Sequence, residues 1–367
     1  MKGPRVMATA TLTEQDVLKA LKGVKDPDLG RDLVDLGMIR DVQIGAGTVA
    51  LAVNLTTPAC PMKAKIESDV RAALTANLGD HLTYHIKMTA EVRGKGVQEK
   101  GDIPGVKNVI AVGSGKGGVG KSTMAAAIAY GLSNYGSRVG LLDADIYGPS
   151  IPTLVGVKGR PFIRGDKVEP LEADGLKLMS IGFLIEPDQA VVARGPIIHQ
   201  YVTQFLHQVN WGELDYLVID LPPGTGDVPL TLAQALPLTG AVVVCTPQEV
   251  ALADAVRAVA MFRKLNVPLL GLVENMSYYV ESDGKRVYLF GREGARRKAE
   301  ELSVPFLGEV PLHISLREKG DEGRFREVFA EEAPSRDHLL RVVEQLAAQI
   351  SIQNHKKPKL PKLEILG

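Results

Sequence analysis

The sequence predicts an α/β protein, a mostly parallel sheet with helices on both faces, preceded by a small α+β domain. Three observations lead there. The run Gly115-Lys-Gly-Gly-Val-Gly-Lys-Ser122 is a complete G-x-x-x-x-G-K-[ST] phosphate loop, with an apolar strand before it and an Ala-rich helix after it. Two later apolar runs, Arg138–Leu142 and Leu214–Ile219, end in carboxylates, Asp143-Ala-Asp145 and Asp220. Strand-like runs then alternate with amphipathic helical stretches, the pattern of right-handed crossovers in a parallel sheet.

Residues 1–92 are expected to form the small α+β domain, 93–106 a linker, 107–350 the phosphate-loop domain and 351–367 a basic, disordered tail. With 45% apolar residues, the 367-residue chain can fill two cores. Acidic and basic residues balance at 43 each, which leaves no net field to gather nucleic acid or anionic lipid. No apolar run reaches the roughly 20 residues of a spanning helix, and the first residues lack the apolar stretch of a signal peptide. A cytoplasmic protein with neither membrane nor nucleic acid as partner is expected. Two cysteines, Cys60 and Cys245, cannot build a disulfide framework or a four-cysteine metal site within one chain. His199 and His207, ~12 Å apart along a helix axis, do not make a zinc pair.

In the first domain, residues 13–24 read as a helix capped by Thr13 with Asp16 at its third position, and a turn follows at Asp26–Gly30. Val49, Leu51, Val53 and Leu55 alternate as one strand, and Leu82, Tyr84, Ile86 and Met88 as another. Between them, Pro61 suits the first turn of a helix running to about Asn77, so Cys60 is expected at a helix N-terminus, where the dipole favours a thiolate.

In the second domain the loop glycines let backbone N–H groups turn inward around a phosphate, at the positive end of the next helix. Gly115, Gly117, Gly118, Val119, Gly120 and Thr123 are read as the cradle for ATP. Lys121 is placed on the β and γ phosphates and the Ser122 hydroxyl on Mg²⁺. Asp145 is the candidate to position the attacking water, with Asp143 behind it, and Ile146–Pro152 reads as a loop. Asp220 is expected to hold Mg²⁺ through water, and Gly224 to offer its N–H to the γ phosphate. Ala241–Cys245 and Leu269–Val273 are buried strands flanking a helix from Glu249 to Leu265, which makes Cys245 a core residue. Glu274–Ser277 follows the second of them. A solvated helix face at Gly294–Glu300 and a last helix from His338 to Ile350 complete the domain.

Lys116 adds a lysine that ordinary phosphate loops lack, and K-G-G-V-G-K-[ST] resembles the deviant Walker A loop of the MinD/ParA/nitrogenase iron protein class. In that class the extra lysine reaches the other subunit's nucleotide, so the resemblance implies a homodimer with Lys116 catalytic beside Lys121 and Asp145. From Lys107 to about Gln349, the stretches Gly115–Ser122, Asp143–Pro152, Asp220–Asp227, Thr246–Gln248 and Glu274–Ser277 together resemble the Mrp/ApbC proteins. Those are P-loop ATPases that carry iron–sulfur clusters to apoproteins, and Asn275 by this resemblance contacts the adenine. Asp26–Gly37 and Thr56–Pro61 resemble the small domain shared by iron–sulfur assembly factors. The resemblance implies a P-loop NTPase fold, ATP and Mg²⁺, a cluster as cargo and apoprotein clients.

One stretch departs from that pattern. The family usually has Cys-x-x-Cys shortly after Glu-Asn-Met-Ser, whereas this chain reads Tyr278-Tyr-Val-Glu-Ser-Asp-Gly-Lys285. Glu281 and Asp283 are hard ligands that do not suit a cluster's iron. Cys60 is then the candidate iron–sulfur ligand. Two functions stay open: a cluster carrier with a slow, dimer-gated ATPase, and a cluster-free positioning or regulatory ATPase of the MinD/ParA type.

Overall fold

The structure is a computed structural model that describes residues 12–94, 102–185 and 195–356. The chain divides into two compact units, residues 1–91 and 92–367.

In the first unit α1 (Glu14–Ala20) starts as the sequence predicts: Thr13 accepts from the Asp16 N–H, and the Asp16 carboxylate accepts from the Thr13 N–H at 3.0 Å. It stops at Ala20 rather than 24. Leu21 caps it, and Gly23, at φ +97°, turns the chain so that the Val24 carbonyl accepts from Leu33 N–H. The aspartates that follow are spent on backbone. Asp26 takes the N–H groups of Asp28 and Leu29, both at 2.9 Å, and Asp32 takes those of Gly23 and Val34.

Strand β1 (Ile39–Gly45) pairs antiparallel with β2 (Thr48–Leu55), helix α2 (Lys63–Leu78) crosses over, and β3 (Thr83–Ala90) returns parallel to β2. Val49, Leu51, Val53 and Leu55 all enter the core, against Val17, Leu21, Ile66, Val70 and Leu74. Helix α2 begins three residues after Cys60, and Met62 is its cap. The expectation that Pro61 opens the helix and Cys60 sits at its N-terminus is therefore corrected. Cys60 lies in the preceding turn, half-buried against this unit's core.

The second unit begins before the expected phosphate-loop domain. The Arg93 carbonyl accepts from the side-chain amides of Asn108 at 3.1 Å and Asn354 at 2.9 Å, and Ile103 is buried in this unit's core. The expected linker is thus anchored at both described ends, while 95–101 lie outside the described residues.

The chain then runs β4 (Val109–Ser114), α3 (Lys121–Asn134), β5 (Val139–Asp143), α4 (Ile151–Val155), a hairpin of β6 (Phe162–Arg164) and β7 (Lys167–Glu169), β8 (Leu171–Ala173), β9 (Leu176–Ser180), α5 (Gly195–His207), β10 (Tyr216–Asp220), α6 (Asp227–Ala235), β11 (Gly240–Cys245) and α7 (Glu249–Lys264). It ends with β12 (Leu269–Val280), β13 (Arg286–Val287), α8 (Gly294–Glu301), β14 (Phe306–Leu312), α9 (Ile314–Asp321) and α10 (Arg336–Lys356).

Nine strands make one sheet in the order β13-β12-β11-β4-β10-β5-β9-β8, with β14 also on β12. All pairs are parallel except the edge pairs β12–β13 and β8–β9. Alternate residues of these buried strands face opposite sides. Ala111, Leu217, Ile219, Ala241 and Val243 join one core with residues of α5, α6, α7 and α8, while α3 and α10 pack together on the other side. The parallel strands therefore deliver Ser114, Asp143 and Asp220 to one edge of the sheet, where α/β folds build their sites.

Three expectations change here. Ile151 and Pro152 open α4 instead of ending a loop. Glu274–Ser277 lies inside β12, not after it. Helix α10 runs from Arg336 to Lys356, so 351–356 are helical rather than part of a disordered tail, and 357–367 lie outside the described residues.

Candidate nucleotide site

Strand β4 ends at Ser114, the loop 115–120 follows, and α3 starts at Lys121 with Gly120 as its cap. Gly117 and Gly118 face open space, and Val119 is buried as the loop's apolar plug. Gly115 has a different reason: a Cβ there would overlap the backbone of Asp254 on α7. Helix α7 thus packs against the loop too closely for any side chain. Ser122 and Thr123 sit half-buried in the first turn of α3.

Lys121 is almost fully buried and donates to Asp220 Oδ1 at 2.5 Å and to Ser122 Oγ at 3.2 Å. The second carboxylate oxygen of Asp220, also buried, has no hydrogen-bond partner among the described residues. Burial pushes the Asp220 carboxyl up, against the pull of Lys121. An orphaned carboxylate oxygen beside a serine hydroxyl is a fit for a hydrated Mg²⁺, as a hard oxygen ligand set should be. The residues expected for that ion, Ser122 and Asp220, are brought together.

Asp143 has a larger part than the supporting one its sequence position suggests. It is buried on β5 next to Asp220 on β10, and burial together with Asp220 pushes its carboxyl up to about 7. Its oxygens take the N–H groups of Asp145, Ser150 and Ile151 and the hydroxyl of Ser180, all within 3.2 Å. One carboxylate therefore holds both ends of the loop that carries Asp145 and pins it to β9. Asp145 is half-buried at the mouth of the site, with its carboxyl pushed up by burial. The signal for Asp143 is the D-A-D spacing itself, but sequence does not show which aspartate turns inward.

Two residues expected at the nucleotide have protein partners of their own. The Gly224 N–H, read as facing the γ phosphate, donates to the Ser114 carbonyl at 2.9 Å, because the 221–226 turn folds back onto the end of β4. Asn275, read as an adenine contact, is buried, and its Nδ2 donates to the Val119 carbonyl at 2.9 Å. Lys116 is half-buried, and its ammonium has no hydrogen-bond or ion-pair partner among the described residues.

Cys245 is buried on β11, and burial with Glu274 nearby pushes its thiol up to about 12, which bears out its reading as a core residue. No group of three metal-binding side chains occurs among the described residues. The segment without cysteines, 278–285, completes β12 and turns at Glu281–Lys285 into β13. Tyr278 is locked there under Arg286, 4.4 Å from its ring, and against Tyr288 and His338.

A family described as NUBPL iron-transfer P-loop NTPase matches residues 105–349, and an iron-sulfur cluster assembly protein family matches residues 14–81. An iron-sulfur cluster carrier protein of Synechocystis is 47% identical over 349 residues, 93% of this chain and 99% of that one. A protein of the same description from Deinococcus radiodurans is 48% identical over 92% of this chain and 95% of its own. Among solved structures, a nucleotide-binding protein of Archaeoglobus fulgidus in complex with ADP is 41% identical, covering 64% of this chain and 96% of that one, at a TM-score of 0.56. The cell division ATPase MinD of Pyrococcus furiosus, at 19% identity and a TM-score of 0.51 over 65% of this chain and 98% of its own, shares the fold. With the phosphate loop, its buried lysine and the strand-end carboxylates in place, the chain belongs to the NUBPL iron-transfer family of P-loop NTPases.

Proposed function

We propose that this protein is an ATP-hydrolysing iron–sulfur cluster carrier that works in the cytoplasm as a homodimer and hands its cargo to apoproteins. The observation that carries this reading is full-length similarity, through both units, to proteins named as cluster carriers.

ATP enters a cradle whose loop amides and α3 N-terminus receive the phosphates. Lys121, held by Asp220 until the nucleotide arrives, turns to the β and γ phosphates. Ser122, and Asp220 through water, would hold Mg²⁺, which would neutralise charge on the same phosphates. Asp145, on the loop fixed by Asp143, accepts a hydrogen bond from the water that attacks the γ phosphorus, and the bond to ADP breaks. Gly224 can turn to the γ phosphate only by leaving Ser114. The unpaired Lys116 is free to reach a nucleotide on a second copy, and this need for a partner makes turnover slow.

The cluster is cargo. One chain offers only Cys60 as an accessible thiol, so a cluster is shared by two copies and completed by an outside thiol. Anaerobic loading of the full chain with iron, sulfide and a low-molecular-weight thiol tests this. Wild type should hold a labile, substoichiometric cluster that Cys60→Ser loses and Cys245→Ser keeps. Equal loading of Cys60→Ser defeats the cysteine mechanism. One observation favours the rival reading, a cluster-free regulatory ATPase: the 278–285 hairpin carries carboxylates where cysteines were expected. No uptake of iron by wild type would make that reading the better one.

A further inference from the structure

The geometry points to Asn275 as a positioning residue that shapes the phosphate loop, in place of the base contact expected from its motif. The inference rests on the nucleotide site and is independent of the cargo.

Four observations converge on this side chain. Asn275 is buried, at 4% exposure, and its amide donates to the Val119 carbonyl at 2.9 Å. A Cβ on Gly120 would overlap that same amide, so Asn275 lies directly against the loop's last residue. Met276 holds φ +55°, in the left-handed region that a side-chain-bearing residue adopts only where its surroundings hold it there. The register of β12 with β14 shifts between Asn275 and Tyr279, so the strand bulges at this point, and the Met276 methyl lies 3.9 Å from where a Cβ on Gly120 would stand.

The consequence follows from peptide geometry. A trans peptide sets its C=O and N–H in opposite directions. By fixing the Val119 carbonyl outward, toward β12, Asn275 aims the Gly120 N–H inward, toward the space a phosphate takes. Without the amide, a buried carbonyl loses its donor, and the peptide is free to rotate. Gly120, at φ +80° with no side chain, does not resist that rotation. The strained bulge is what brings Asn275 to this position. A strand that continued regularly would not turn Asn275 and Met276 together onto the loop.

A base contact and a loop strut predict different losses. Full-length Asn275→Ala and Asn275→Ser are to be compared with wild type for binding of ATP, GTP and inorganic tripolyphosphate, with Lys121→Ala as the control for the site itself. A strut predicts that all three ligands weaken by a similar factor, roughly tenfold to a hundredfold, while the ATP to GTP preference is unchanged. The KM for ATP should rise by that factor and kcat change less. A collapse of the ATP to GTP preference with tripolyphosphate affinity unchanged overturns the proposal, and so does unaltered affinity for all three. Loss of binding in Lys121→Ala with none in either Asn275 variant sinks this inference alone, whereas retained binding in Lys121→Ala refutes the site. Wild type supplies a test that needs no variant: tripolyphosphate should slow hydrogen exchange of the Gly120 amide, and unchanged exchange on binding overturns the proposal.

Discussion

Replacing Lys121 with alanine tests the electrostatics of the nucleotide site as well as its affinity for ATP. In the folded chain, Lys121 and Asp220 are 6% and 0% exposed and meet at 2.5 Å. Asp220 already has one oxygen without a partner among the described residues, so Lys121→Ala leaves a buried carboxylate that has lost the cation it is paired with. Breaking one side of a buried pair costs about 3–5 kcal/mol. For a unit of this size that corresponds to a fall in Tm of roughly 6–20 °C for the larger unit's transition. The assay is thermal unfolding without nucleotide, followed by a double-mutant cycle with Asp220→Asn, which removes the stranded charge and should recover most of the loss.

The pH dependence has a definite sign. Burial holds the Asp220 carboxyl above its ordinary value, and losing Lys121 removes the main opposing influence. The folded variant then binds that proton more tightly than its unfolded chain does. Its deficit should shrink toward about pH 5 and widen toward about pH 8. A Lys121→Ala protein that melts with wild type at every pH, or a double variant less stable than the single one, would refute the reasoning.

Asp145→Ala should bind ATP with near wild-type affinity and hydrolyse it about a hundredfold more slowly, the low end of what a positioned base contributes; wild-type turnover in a steady-state phosphate-release assay contradicts its role. Lys116→Ala and Lys121→Ala chains, each inactive alone, should recover part of the activity when mixed, since some dimers then hold one site with both lysines intact. A monomer by light scattering, with or without a non-hydrolysable analogue, removes the basis for that. Native protein at about pH 8 should be alkylated by iodoacetamide at Cys60 and spared at Cys245, because burial pushes the Cys245 thiol up to about 12; mass spectrometry showing equal labelling would contradict the buried assignment.

What sequence alone determined is whatever follows from local spacing. The phosphate loop, the strand-end carboxylates, the Thr13 cap and helix α7 are each written in a few adjacent residues, and the fold agrees closely with what they predict. Helix and strand signals repeat along the chain because a buried parallel sheet demands them, so the architecture is legible before any tertiary contact is known. Partner choice is not. Both Asp143 and Asp145 stand at the end of one strand, and only the packing of β9 and the start of α4 against β5 shows that Asp143 turns inward to hold the loop.

Asn275, 156 residues after Val119, meets it because the sheet places β12 two strands from β4 and the bulge turns its amide to the loop. The Gly224 amide could serve a phosphate or the Ser114 carbonyl, and the fold of the 221–226 turn chose the carbonyl. Cys60 follows the same rule: a proline beside it suggests a helix start, but the turn continues and α2 begins at Lys63. Hydrogen-bond donors and acceptors are chemically alike at many positions. Which of them meet is decided by distances that exist only once the chain has folded.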